Sequence, residues 1–187
     1  GQTFHCWKEK GHGVVDLKSA MKQSCDSYFY EIARQLGVDR LRKTSTKFGL
    51  GDKVLSGAYA NEKKGLVPNT DWKKNKLGKP WVIGETLITG IGQGYIQTTP
   101  LQLCLMIAQL ANGGFKIYPK IVVDKNDKTA NEIKTLMNRK SKNKNTKKNN
   151  LLTDGKEFFK SSKEESYEKL FLDSENIRLV KEAIFAS

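Results

Sequence analysis

Three cysteines, Cys6, Cys25 and Cys104, are all that the 187-residue chain contains. That is too few for a disulfide scaffold, and no CxxC spacing marks a zinc ribbon. Long apolar runs are missing too: none approaches the roughly 20 residues that a bilayer crossing needs. The first residues, Gly1–His12, carry polar and charged groups where the apolar stretch of a signal peptide would sit. The expectation is a chain with neither signal nor membrane anchor. Arginine is scarce as well. Only five of the 33 basic residues are Arg, the side chain whose planar fork reads phosphates and base edges. The net charge of +13 is therefore a lysine excess, which argues against nucleic acid as the partner.

Proline and glycine divide what is present. All four prolines and fifteen of the sixteen glycines fall in residues 1–119, the turn-rich, structured part. Residues 120–150 hold ten Lys/Arg against three acidic residues and account for +7 of the charge. With almost no apolar anchors, this stretch cannot bury enough surface to offset the entropy of ordering, and it reads as a basic, flexible insertion. A binding module for an anionic polymer is the function it suggests by itself. Residues 151–187 regain aliphatic and aromatic content and read as the rest of the same domain, ending in a helix.

Local signals place the helices. Asp16 can cap a short helix through LKSAMKQ. A second, Ser27–Leu36, sets Phe29, Ile32, Ala33 and Leu36 on one face and stops at Gly37. Ser24-Cys25-Asp26 lies at the junction between the two. Residues 39–50 form another short amphipathic helix, and residues 52–95 read as loop-rich. Thr99-Pro100 opens a helix through LQLCLMIAQLA that closes at Gly113-Gly114. Being apolar nearly all round, it is expected to be buried. Residues 115–119 and 121–123 carry strand patterns, and Asp173 or Ser174 caps a final helix through Ile184.

Among chemistry-bearing residues, His5, Cys6 and His12 have metal-type donors, but their spacing matches no familiar zinc pattern, so an ordinary surface or core role is expected and no metal is assigned. Gly90, Gly92 and Gly94 do not make a GxGxxG run, and no cofactor is expected. The S-x-x-K pattern of serine acyl-transferases occurs at Ser19–Lys22, Ser141–Lys144 and Ser166–Lys169. In a chain so rich in lysine, about one or two matches arise by chance. No Lys-Ser/Thr-Gly triplet occurs.

Longer stretches are more specific. HGVVDLKSAMKQSCDSYFYEIARQLGVDRL (12–41), FGLG (48–51) and GETLITGIGQGYIQTTPLQLCLMIAQLANGG (84–114) strongly resemble the transpeptidase domain of class B penicillin-binding proteins, of the elongation type. The resemblance covers residues 1–119 well and the last helix more weakly. It implies an α+β fold with helices packed on an antiparallel sheet, of which this chain would carry a part. The family's active site has three motifs: S-x-x-K, S-x-N or S-x-D, and K-S/T-G. Ser24-Cys25-Asp26 matches the second, so the resemblance makes Ser24 a member of the proton relay and Asp26 a cleft-lining hydrogen-bonding group. It also implies that the nucleophile lies before Gly1 and the K-S/T-G strand after Ser187, leaving these residues catalytically incomplete alone. A companion polypeptide could carry the flanks, or the chain could be the remnant of a split gene. For the complete protein the implied substrates are peptidoglycan stem peptides and β-lactams. The implied setting is the elongation machinery at the periplasmic face of the cytoplasmic membrane.

Overall fold

The structure is a computed structural model that describes residues 3–55, 60–119, 168–170 and 173–186. One compact unit comprises Gly1–Ile117 with Glu168–Ser187; the second, Tyr118–Tyr167, has only its first two residues among those described. The basic stretch 120–150, Ser141 and Ser166 lie outside the described residues.

Seven helices are described, each traceable to its ends. In α1 (Leu17–Lys22) the Asp16 carboxylate accepts the Ser19 N–H at 2.8 Å. α2 (Asp26–Leu36) ends at Gly37, whose φ of 76° turns the chain directly into α3 (Val38–Lys47). In α4 (Thr70–Leu77) the Asn69 side chain accepts the Trp72 N–H at 2.9 Å, and Gly78 closes the helix in the left-handed region. α5 (Ile83–Gly90) starts where the Glu85 carboxylate reaches back to the Val82 N–H at 3.0 Å. α6 (Pro100–Ala111) has a reciprocal Thr99/Gln102 capping box. α7 (Ser174–Phe185) is capped by Asp173, which accepts the Glu175 N–H.

The helices α4 and α5 lie within the loop-rich stretch 52–95, where the sequence pattern marks no helix. α4 buries a lysine, Lys73, where an apolar stripe would be sought, so periodicity conceals it. α5 carries two glycines and is held by packing on α2. That packing is close: a Cβ at Gly90 would stand 2.4 Å from the Cβ of Ala33, which is itself 1% exposed. Only glycine lets the two helices meet there.

Between α4 and α5 sits a nearly dry polar nest. Lys73, 5% exposed, pairs with Glu85, whose carboxylate also accepts from the Tyr95 hydroxyl. Trp72 and Trp81 flank Tyr95 with ring centroids 5.2 and 6.3 Å away, and the Trp81 N–H donates to Thr86 Oγ1 at 2.8 Å. Burial pushes the Glu85 carboxyl up, but the hydrogen bond and charge of Lys73, the Val82 N–H and the Tyr95 hydroxyl together hold it below its ordinary value.

α6 is a correction to the expected burial. Its inner face buries two glutamines, Gln102 and Gln109, beside Leu105 and Leu110, while Leu103 and Ile107 stand 44% and 48% exposed. Gln102 Nε2 donates to the carbonyls of Asp52 (2.6 Å) and Lys64 (2.8 Å). Gln109 bridges the Phe48 carbonyl and the Ile117 N–H. The backbone of neighbouring loops needs partners there, and an apolar side chain would leave each of those groups unpaired at about 1–3 kcal/mol. α7 packs on α1, with Ala20 and Ala183 both fully buried, and touches α6. Leu179 (41%) and Phe185 (64%) point outward.

Strand structure among the described residues is limited to two isolated antiparallel bridges, Leu66 with Gln97 and Phe115 with Lys169. Of the strand expected over 115–119, Phe115 alone bridges among the described residues, pairing with Lys169. Residues 121–123 lie outside the described residues. The described residues are thus mainly helical.

Candidate functional site

The junction between α1 and α2 is built by backbone geometry. After α1 the Ser24 N–H bonds the Met21 carbonyl (3.2 Å) and the Cys25 N–H bonds that of Ala20 (2.9 Å), the two bonds of a Schellman turn. The residue at its left-handed position is usually glycine. Here it is Ser24, φ 50°, the one described non-glycine residue with positive φ. Such a conformation costs on the order of 1 kcal/mol, and strain of this kind gathers at functional sites. It leaves the Ser24 side chain exposed, while Cys25 turns inward at 4% exposure and Asp26 opens α2, half-buried.

Trp7 straps this turn. Its main-chain N–H donates to Asp26 Oδ2 at 3.0 Å, and its indole N–H to the Ser24 carbonyl at 2.8 Å. One exposed residue therefore fixes both ends of the Ser24–Asp26 motif. Nothing in the sequence singled out Trp7, since its partners lie 17 and 19 positions away.

Behind the motif a second group assembles. The donor atoms of Cys6, His12 and Cys25 all lie within 4.8 Å of one another, with Cys6 Sγ 3.4 Å from His12 Nδ1. The backbone N–H groups of Lys8, Ser27 and Asp26 lie around the Cys6 thiol, the last two at the start of α2. Burial pushes this thiol up, but the three N–H groups outweigh it and leave it below its ordinary value. The His12 ring meets the Trp7 ring edge-on at 5.5 Å, which joins this group to the strap. Two sulfurs and an imidazole are a soft donor set that a zinc-type ion would accept with one position left open. The sequence paired Cys6 and His12 with His5; the fold brings them instead to Cys25. The one available signal was a cysteine inside the S-x-D motif itself.

Ser19, by contrast, is a cap. The Asp16 carboxylate takes hydrogen bonds from its hydroxyl and its N–H, which together hold Asp16 below the usual carboxylate range. An open groove of 460 Å³ lies along α2 and α5, lined by Phe4, Ser27, Tyr30 and Leu87 with the Glu31–Arg34 pair, and includes neither Ser24 nor Asp26.

Residues 1–179 match the penicillin binding protein transpeptidase domain, and the chain belongs to that family. It is similar to the peptidoglycan D,D-transpeptidase MrdA of Acinetobacter baumannii, 40% identical over 64% of this chain and 18% of that protein. The MrdA of Escherichia coli is 36% identical over 65% of the chain and 19% of its own length. The chain thus spans about a fifth of these curated relatives. Among solved structures, Pseudomonas aeruginosa PBP2 in complex with WCK 5153 aligns with a TM-score of 0.59 at 47% identity, covering 62% of this chain and 25% of that one. Helicobacter pylori PBP2 in its complex with MreC aligns over 98% of this chain and 27% of that one, with a TM-score of 0.70 at 25% identity. The resemblance read from the motifs, including its elongation type and its partial α+β fold, is upheld.

Proposed function

We propose that these residues form the S-x-D wall of the active-site cleft of a peptidoglycan D,D-transpeptidase of the PBP2 kind. The supporting observation is the Ser24–Asp26 turn, held in a left-handed conformation with its serine exposed and Trp7 bonded to both ends. In this reading Ser24 relays protons between the catalytic lysine and the reacting amine, and Asp26 anchors the turn at the cleft. The nucleophilic serine and the K-S/T-G strand act from other parts of the same assembled domain. The serine attacks the penultimate D-alanine carbonyl of a stem peptide, terminal D-alanine leaves, and the acyl group passes to an acceptor amine. β-Lactams acylate the same serine. The reaction takes place on the periplasmic side of the cytoplasmic membrane, and an MreC-type protein of the elongation machinery is the partner that the solved H. pylori complex suggests. Among the described residues no helix is long and apolar enough to cross a membrane.

The test is acylation by a fluorescent penicillin in a polypeptide joining these residues to the family's other two motifs. Ser24→Ala is expected to slow acylation by about 100-fold or more, the scale of general acid–base catalysis, with the fold intact by circular dichroism. Unchanged acylation in that variant would remove Ser24 from the relay.

A further inference from the structure

Cys6, Cys25 and Cys104 are all free thiols in the structure, but they are not equivalent. Cys104 is exposed on α6 and belongs to no donor cluster among the described residues. Cys6 and Cys25 have their sulfurs within 4.8 Å of each other. A disulfide needs about 2.05 Å, a gap that side-chain rotation closes only if the two backbones are already adjacent. They are: Trp7, the residue after Cys6, bonds both neighbours of Cys25, its N–H to Asp26 Oδ2 and its indole to the Ser24 carbonyl, which holds the two segments side by side. The pair is also asymmetric. Cys6 is half-buried and reachable, whereas Cys25 is 4% exposed.

We propose that Cys6 and Cys25 are a thiol–disulfide couple set directly behind the S-x-D turn, with Cys6 the attacking and Cys25 the resolving thiol. The oxidant is a small-molecule disulfide of the glutathione type. The Cys6 thiolate attacks one sulfur of it, forming a mixed disulfide and releasing one glutathione thiolate. Cys25 then gives up its proton and attacks the Cys6 sulfur, forming the Cys6–Cys25 bond and expelling the second glutathione thiolate. Two electrons pass from the protein thiols to the oxidant, and the two thiol protons end on the two released glutathiones. His12 Nδ1, 3.4 Å from Cys6 Sγ, is placed to take the first of those protons.

The closed bridge ties the residue before Trp7 to the residue between Ser24 and Asp26. It locks the strap onto the motif, and it consumes two of the three donors that could hold a soft cation, so the two states exclude each other. This couple rests on sulfur geometry alone; a failed acylation test would leave it standing.

The experiment uses the full 187-residue chain, dialysed against a chelator and treated with oxidised glutathione, then mapped by mass spectrometry without reduction. The expected product is a peptide pair joined through Cys6 and Cys25, lighter by two hydrogens, with glutathione attached at Cys104 only. In denaturing urea the preference for that pair should vanish, and in Cys25→Ser a stable glutathione adduct should remain on Cys6. The proposal is overturned if Cys6 and Cys25 stay reduced while Cys104 is modified. A stable glutathione adduct on wild-type Cys6, or the same product mixture in urea as in buffer, would overturn it equally.

Discussion

Two polar corners of this molecule stand in contrast. The nest around Lys73 and Glu85 is nearly dry, and each charged group meets an opposite charge, a hydroxyl or a backbone N–H. The corner at Ser24 and Asp26 is open to solvent, sits on strained backbone and is held by a single exposed residue. Burial with full pairing is what a structural polar group needs, because an unpaired buried charge is costly. Exposure with strain is what a reacting group needs, because its hydrogen bonds must be free to change partner. On the proposed function it is the second corner that carries the chemistry, although the first holds the buried ion pair.

The sharpest way to break that contrast is Glu85→Gln. It leaves the Lys73 ammonium buried without its carboxylate and should destabilise the chain by about 3 kcal/mol in urea unfolding. A neutral result would mean that the nest is wetter than its 5% exposure of Lys73 implies. Acid should act on the same pair next. The Glu85 carboxyl is depressed in the folded chain, so its contribution is present above the ordinary carboxylate value of 4.5 and is lost as pH falls through the lower folded value. Stability measured downward from pH 5 should fall more steeply in the wild type than in a Lys73→Met/Glu85→Gln double variant.

At the open corner the effects are smaller and of opposite sign. Ser24→Gly relieves the left-handed strain and should stabilise by about 1 kcal/mol while acylation in the assembled domain falls. A loss of stability would show that the turn is not strained. Smallest is Trp7→Phe, which keeps the ring and the main-chain N–H but deletes the indole donor to Ser24. One hydrogen bond of about 1 kcal/mol corresponds to roughly fivefold in the acylation rate, with the melting temperature nearly unmoved at a residue 67% exposed. A fall in stability with no change in rate would make Trp7 a structural residue only.

Much of this was legible beforehand. The caps at Asp16 and Thr99, the stop at Gly37 and the motif at Ser24–Asp26 are local signals, and each stands where the sequence puts it. α4 has no sequence signature of an apolar stripe, because its buried side chain is a lysine. The outward face of α6 has no signature either, because a helix that is apolar all round does not say which side its neighbours occupy. Trp7 and Cys25 joined the site through contacts 17 to 19 residues apart, and no short-range pattern encodes those.

The amino-acid order by itself determined the helix ends, the family likeness and the position of the S-x-D turn, since caps, glycines and motif spacing act over a few residues. Tertiary structure alone decided that Trp7 straps the turn, that Cys6, His12 and Cys25 converge behind it, and that Lys73 is buried. These depend on which distant segments pack together, and packing is settled by the burial and pairing of the whole fold rather than by any one stretch of chain.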